Sequence, residues 1–236
     1  MTIPEKLPQE TQKDYAMRAI RDAIVNWELA PGALVSEGKL ALELGLSRIP
    51  VREALKELAK TRIVEIYPQR GTRIAPLDYD MIMEAEFCRR VMDCAVVELA
   101  CETMTEEDIS WFEDNLKMQR YIWRNGTAQQ LKDIDQEYHR HYYEICRKMQ
   151  CYQMIREMNI HFDRLRHIGY FLDGSEKLVD DHQAIFEAVR AKDPARAKEL
   201  TIQHLIRYQV EVEETNRMAK ILIARTNEAP QGRRDA

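Results

Sequence analysis

Residues 36–75 read SEGKLALELGLSRIPVREALKELAKTRIVEIYPQRGTRIA, and this stretch decides the fold of the amino-terminal part of the chain. Leu40 and Leu44 share one face of a first helix, and Gly45 suits the left-handed residue that ends it. Ser47 is expected to cap the next helix with its side-chain oxygen. The spacing therefore predicts two helices joined by a tight turn, the sequence form of a helix-turn-helix.

The second of these helices has an apolar face and a basic face. Arg48, Arg52 and Lys56 recur at every fourth position and so lie on one side. Pro50 is tolerated in the first turn, because an amide there has no intrahelical partner. The apolar stripe consists of Val51, Ala54, Leu55 and Leu58. Arg48 and Arg52 could read guanine edges or bind phosphates, and the sequence leaves both interpretations open.

A β-hairpin is predicted directly after the second helix. The segments IVEIY (63–67) and TRIA (72–75) are typical of strands, and the turn PQRG (68–71) separates them. Arg70 would stand at the tip of this hairpin. The pattern is that of a wing attached to a helix-turn-helix.

The motif LGLSRIPVREAL (44–55), followed by the PQRG turn, resembles the winged helix of the GntR family of bacterial transcriptional regulators. Two positions depart from that pattern. Gly38 stands where many members carry an arginine that contacts DNA, and Arg62 stands where many carry a glycine, which predicts a different exit from the second helix. The residues that the resemblance brings to DNA are Ser47, Arg48, Ile49, Arg52, Arg70 and Gly71.

Without the wing, the same residues would describe a helical hairpin whose arginines and lysine form a solvated face, which is the commoner role of charged faces. The hairpin and the turn at residues 45–48 favour DNA binding. The net charge of −5 is compatible with this, because residues 1–76 carry 12 Lys and Arg against 10 Asp and Glu. The remaining 160 residues carry 23 Lys and Arg against 30 Asp and Glu. The excess of positive charge therefore lies in the winged module, where DNA binding requires it.

Length and composition indicate a two-domain globular protein. The 236 residues are 45% hydrophobic and 32% charged, and no apolar run approaches the roughly 18 residues that span a bilayer. The first residues lack an apolar signal core, so we expect a cytoplasmic protein. The five cysteines are odd in number and show no C-x-x-C spacing, which argues against a disulfide framework and a zinc knuckle.

The predicted fold class is mainly α: a winged helix-turn-helix over residues 1–76, then an antiparallel six-helix bundle over 77–225. The tail 226–236 is too polar to be ordered. Helical periodicity and capping residues predict the bundle helices. Their expected spans are 79–103, 106–124, 128–148, 151–172, 176–191 and 194–224.

Asp135 and His139 stand four residues apart on one predicted helix, so their side chains share a face and can bind one ion. His182 and His204 lie on two later helices. A lone helical histidine is more often at the surface or in a satisfied core than a metal ligand, and spacing alone does not bring these residues together.

The segments DQEYH (135–139), DHQAI (181–185) and His204-Leu205 resemble the FCD effector domain of FadR-type GntR regulators, and RRVMD (89–93) resembles its opening motif. Six helices after the wing are similar to the VanR subgroup. The resemblance implies a divalent ion, zinc or nickel, bound by Asp135, His139, His182 and His204. It also implies that Arg89 binds a small carboxylate or sugar-acid effector. The alternative for Arg89 is an ion pair with a carboxylate of the bundle.

Three functions follow from these patterns. The first is a ligand-responsive transcriptional regulator that binds a palindromic operator as a homodimer. The second is a metal-dependent enzyme, in which the ion would activate water, although no H-E-x-x-H or comparable motif supplies a general base. The third is a metal sensor without an organic effector, which retains the DNA-binding half.

Overall fold

The computed structural model describes residues 1–164 and 177–206. It forms two compact units. The described residues of the first unit are 1–82 and 163–164, and those of the second are 83–162 and 177–206. The expected tail at 226–236 and the expected helical residues 165–172 and 207–224 lie outside the described ranges.

Residues 1–78 of the first unit form three helices and a small sheet. Thr11 caps α1 by accepting a hydrogen bond from the amide of Asp14. Helix α1 packs against α3, and Ile20 and Ile24 of α1 are fully buried. The predicted stripe of α3 is confirmed, because its four apolar residues are all buried. The helices are α1 (Gln12–Val25), α2 (Glu37–Leu44) and α3 (Arg48–Lys60).

The turn between α2 and α3 agrees with the prediction at Gly45 but not at Ser47. Gly45 is left-handed, with φ of 65°, and ends α2. Ser47 occupies the cap position of α3, yet its side chain makes no capping hydrogen bond, so that expectation was wrong. A cap oxygen usually accepts from the second or third helical amide, and the third residue here is Pro50, which has no N–H.

The strands β1 (Leu34–Val35), β2 (Val64–Tyr67) and β3 (Gly71–Ile74) form an antiparallel sheet in the order β1-β3-β2. Tyr67 pairs with Gly71, which places Arg70 in the turn of the predicted wing. Gly71 has φ of 106°, and a Cβ there would lie 3.0 Å from the carbonyl oxygen of Val35. The backbone conformation and the close approach of Val35 therefore require glycine at this end of the wing.

The exit from α3 differs from the sequence-based expectation. Arg62 was expected to change the exit because it replaces a glycine, yet Arg62 adopts φ of 58°, the left-handed conformation in which that glycine is favourable. Its amide donates to the carbonyl of Ala59 at 3.1 Å. The helix therefore ends in the left-handed conformation that glycine usually adopts there, and the arginine bears the steric strain of that conformation.

The second unit is helical. Capping boxes at Thr105 and Thr127 start α5 and α6, and Asp193 caps α9 through the amide of Arg196, as the sequence predicts. Its core is built around buried aromatic rings, including Phe112, Tyr142 and Phe186. The helices are α4 (Tyr79–Thr103), α5 (Glu106–Asn125), α6 (Ala128–Ile145), α7 (Met149–Met158), α8 (Lys177–Arg190) and α9 (Pro194–Ile206).

The helix expected over 151–172 is interrupted. It begins at Met149 and ends at Met158, Asn159 forms a turn, and helical structure resumes over 160–164. Asparagine is unfavourable inside helices because its side chain competes for backbone hydrogen bonds, which explains the break. None of the helices in the described ranges combines the length and apolar character that a membrane crossing demands.

Arg164 is a fully buried arginine of the first unit. Its guanidinium donates to the carbonyl oxygens of Ala75 at 2.7 Å and Pro76 at 3.4 Å, directly after β3. Its own carbonyl accepts a hydrogen bond from the indole of Trp27 at 2.9 Å. Burial lowers the pKa of Arg164 to about 10. Backbone carbonyls thus bind a desolvated guanidinium at the end of the wing.

Candidate DNA-reading face and metal centre

Five of the six residues that the sequence assigned to DNA are exposed, at the start of α3 and at the tip of the wing, and the sixth, Gly71, is half-buried. Ser47, Arg48, Ile49 and Arg52 are all exposed, and Ile49 leaves 71% of its surface to solvent. An exposed isoleucine beside two arginines suits contact with a thymine methyl group. Arg70 is exposed at the other end of the face.

Arg52 makes a bidentate ion pair with Glu37, the first residue of α2. Its Nε donates to the carboxylate at 3.0 Å and its Nη2 donates to Oε2 at 2.8 Å. Hydrogen bonding to Glu37 raises the pKa of Arg52. The sequence analysis did not identify Glu37, because the pair joins two helices and local periodicity carries no signal for it.

Gly38 provides space for Arg48. A Cβ on Gly38 would lie 3.3 Å from Nη2 of Arg48, so a side chain at this position would displace the guanidinium. The position where many GntR proteins carry an arginine is thus covered by an arginine from the next helix. The basic character of this part of the surface is retained.

The four predicted metal ligands converge in the second unit. Asp135 and His139 come from α6, His182 from α8 and His204 from α9, and one ligand atom from each lies within 4.8 Å of all the others. Nε2 of His139 lies 3.3 Å from Nε2 of His204, and Nε2 of His182 lies 3.5 Å from Oδ1 of Asp135. All four side chains are buried.

Neighbouring side chains orient the imidazole of His182. Its Nδ1 lies 2.7 Å from Oε1 of Gln119, which must accept, so Nδ1 carries the proton and the Nε2 lone pair faces the cluster. Gln119 in turn donates to Asn115 at 2.6 Å, and Tyr138 stacks on the imidazole with ring centroids 4.1 Å apart. Such outer contacts are typical of metal-binding histidines.

The electrostatics of the cluster favour a neutral imidazole at His139. Burial lowers its pKa well below the usual value, and the positive charge of Arg89 lowers it further. A metal ligand must offer a lone pair rather than a proton, so the surroundings keep His139 in the form that binds an ion. Three imidazoles and one carboxylate fit a first-row divalent ion such as zinc or nickel.

Arg89 is buried beside this cluster. It forms an ion pair with a carboxylate of the bundle, the alternative to effector binding in the sequence analysis. It donates from Nε to Oδ2 of Asp93 at 3.1 Å, and Tyr143 donates to Oδ1 at 2.5 Å. Nδ1 of His139 lies 3.8 Å from the same carboxylate. The adjoining cavity measures about 10 Å³, which holds about one water molecule.

Several residues of the site were not recognised from the sequence. Gln119 and Asn115 lie four residues apart among the buried positions of α5, and paired amides on a buried helix face were a usable signal. Tyr143 packs in the core of the bundle, and its hydroxyl also donates to Asp93. His141 lies outside the cluster and stacks on Trp111 with ring centroids 3.9 Å apart.

Comparison with protein families gives two matches. Residues 12–74 match the model of bacterial regulatory proteins of the gntR family, and residues 84–207 match the FCD domain. The FCD match contains all four cluster residues and Arg89.

Known relatives and solved structures agree with these matches. The chain is 28% identical over 207 residues to the transcriptional repressor RspR of Escherichia coli K12, covering 87% of this chain and 91% of RspR. It is 27% identical to a regulator from Streptomyces ambofaciens, covering 79% and 78% of the two chains. The structure of E. coli McbR/YncC superposes with a TM-score of 0.72 at 18% identity, covering 91% of this chain and 98% of that one, which shows a shared fold. The chain therefore belongs to the GntR family of bacterial transcriptional regulators and carries an FCD domain.

Proposed function

We propose that this GntR-family regulator binds a palindromic operator as a homodimer and responds to a small carboxylate or sugar acid that binds beside a metal ion in the FCD domain. The observation that carries the proposal is the buried convergence of Asp135, His139, His182 and His204 in the domain that follows a DNA-binding module. Catalysis is not part of it, because the family and its relatives are transcriptional regulators.

Operator binding is assigned to the exposed face at the start of α3 and to the wing. Arg48 and Arg52 enter the major groove, Ser47 binds a phosphate, and Ile49 contacts a base methyl group. Arg70 and Gly71 bring the wing to the flanking backbone. A single helix-turn-helix reads a short half-site, so a two-fold operator requires two copies with recognition helices about one helical turn apart or a multiple of it.

The metal ion is assigned to the four-residue cluster. The four residues would hold zinc or nickel, and a further coordination position would be available to water or an effector oxygen where the ion takes more than four ligands. Arg89 supplies a positive charge close to these ligands. A guanidinium and an ion can hold one carboxylate from two directions, which favours a small organic acid as the effector.

A metal sensor without an organic effector is the second candidate. The cavity beside His139, Asp93 and Tyr143 measures only about 10 Å³, and an organic acid needs far more space. In this alternative the ion alone changes operator affinity. An organic effector instead requires the Arg89–Asp93 pair to separate.

The deciding experiment uses the full-length protein and a duplex that it selects from a random library. Operator affinity is measured by fluorescence anisotropy for the chelated protein, for the protein with Zn²⁺ or Ni²⁺, and for each metal form with a panel of small carboxylates. A response to carboxylates only in the metal form supports the first candidate, and a response to metal alone supports the second. A protein that binds no metal contradicts both.

Two further measurements test the DNA half. Arg52→Ala removes a charge aimed at the groove and should weaken operator binding by about 1–3 kcal/mol per half-site while the helical domain stays folded. Unchanged affinity in a gel-shift titration would exclude that role. Light scattering should give a dimer, and a 27.8 kDa monomer at micromolar concentration, with and without DNA, would contradict the two-fold arrangement.

A further inference from the structure

The ion pair between Glu37 and Arg52 has a definite geometry. Nε of Arg52 lies 3.1 and 3.0 Å from the two carboxylate oxygens, and Nη2 lies 2.8 Å from one of them. The side chains are 30% and 53% exposed. Isolated surface ion pairs contribute little to folding stability. The main effect of this pair is therefore on the orientation of the Arg52 guanidinium.

The pair occupies one edge of the planar guanidinium. Glu37 binds the edge that contains Nε and one N–H of Nη2, and the opposite edge carries N–H groups of Nη1 and Nη2. Two parallel N–H groups on such an edge match the O6 and N7 acceptors of guanine. Holding the side chain before binding also reduces the rotamer entropy that an arginine loses at an interface.

We propose that Glu37 is a positioning residue for base recognition: it holds Arg52 so that the Nη1–Nη2 edge of the guanidinium reads a guanine in the operator. The inference rests on the proposed placement of Arg52 in the major groove. Glu37 acts through Arg52 and contacts no base itself.

Charge alone predicts the opposite effect of removing Glu37. A carboxylate near the DNA-binding face repels phosphates, so its removal should strengthen binding to every duplex. Positioning predicts that non-specific binding strengthens while the preference for one G·C pair is lost. The expected loss at that pair is about tenfold or more, as for a bidentate arginine–guanine contact. The two effects are separable because they have opposite signs on specific DNA.

The test compares Glu37→Gln, Arg52→Ala and the double variant with the wild-type chain. Each protein is used to select duplexes from a random library, and affinities for the wild-type-selected duplex and its single-base variants are measured by anisotropy. Glu37→Gln should lose preference at the same G·C pair as Arg52→Ala, and the double variant should lose no more than Arg52→Ala alone. Glu43→Gln, which removes the same charge from the other end of α2, should keep the wild-type motif.

Several outcomes would overturn the inference. An unchanged motif for Glu37→Gln, a uniform gain on all duplexes, or a loss at a different base pair would each show that Glu37 does not position Arg52. Full preference in Arg52→Ala would instead remove the base-reading role of Arg52 itself. Where Glu37→Gln fails to fold, Glu37→Asp keeps the charge and withdraws the carboxylate by one methylene, and an unchanged motif in that variant overturns the inference.

Discussion

Arg89 and Asp93 form a buried ion pair four residues apart on α4, with Nε of the arginine 3.1 Å from Oδ2 of the aspartate. Tyr143 donates to the other carboxylate oxygen. The residue that we propose as the anchor of an effector carboxylate therefore already binds a carboxylate of the chain. On this proposal an incoming organic acid would compete with Asp93 for the same guanidinium, and we expect Asp93 to lower the affinity for the effector.

Asp93→Asn should weaken this competition. The variant loses a charge-assisted hydrogen bond and should be about 1.5–3 kcal/mol less stable. Small carboxylates such as acetate should restore part of that stability at lower concentrations than they affect the wild-type chain. Thermal unfolding across an acetate titration measures both effects. Asp133→Asn, an exposed carboxylate on α6, is the control, and equal responses in all three proteins would contradict competition at Arg89.

Arg62→Gly should stabilise the protein. Arg62 adopts φ of 58°, which costs an L-residue about 1–2 kcal/mol, while glycine pays a smaller entropic penalty. We expect a net gain of about 1 kcal/mol in the free energy of unfolding, measured by urea denaturation. Lys60→Gly lies inside the last turn of α3 and should lose about 1 kcal/mol. A destabilised Arg62→Gly would show that the arginine side chain outweighs its backbone strain.

Arg164→Met should destabilise the first unit. The substitution removes the donors to the carbonyls of Ala75 and Pro76 and leaves the buried acceptor of Ala75 without its donor, at a cost of about 2 kcal/mol. The midpoint of urea unfolding should fall accordingly. Arg21→Met removes a half-buried arginine that pairs only with its neighbour Asp22 among the bonds described, and it should have little effect. Equal midpoints for the two variants would contradict a structural role for Arg164.

The sequence predicted those features that depend on local spacing. The stripe of α3 follows from periodicity, Gly45 and the caps of the bundle helices follow from residue type, and family resemblance supplied the four candidate metal ligands. The errors arose where a neighbouring residue or the backbone conformation altered the role expected from residue type. Pro50 removes the amide that Ser47 was expected to cap, and Arg62 takes the conformation that favours a glycine.

Contacts between helices were not predictable in the same way. The Glu37–Arg52 pair joins residues that are 15 positions apart, and the Gln119–His182 contact joins residues 63 positions apart. Neither contact leaves a periodic signal in either helix. These contacts orient the candidate functional groups, so the sequence predicted the residues of the cluster but not the partners that position them.

The last prediction concerns coupling between metal and DNA. Residues 75–78 alone separate β3 from α4, the helix that carries Arg89, so this short connection has little slack to absorb a movement of α4. We expect metal and effector to change operator affinity by about 5–150-fold, or about 1–3 kcal/mol. Because coupling of binding free energies is reciprocal, operator DNA should change effector affinity by the same factor.

Substitution of the ligands should remove this response. His139→Ala and His204→Ala should each lower metal content and abolish the change in operator affinity while basal DNA binding remains measurable. His141→Ala is the matched control, since His141 lies on the same helix as His139 and pairs with Asp108 outside the cluster. Circular dichroism separates loss of the ion from loss of the fold, because metal binding can contribute to folding. Full metal occupancy in either ligand variant, or a normal effector response after loss of the metal, would show that the ion does not mediate the signal.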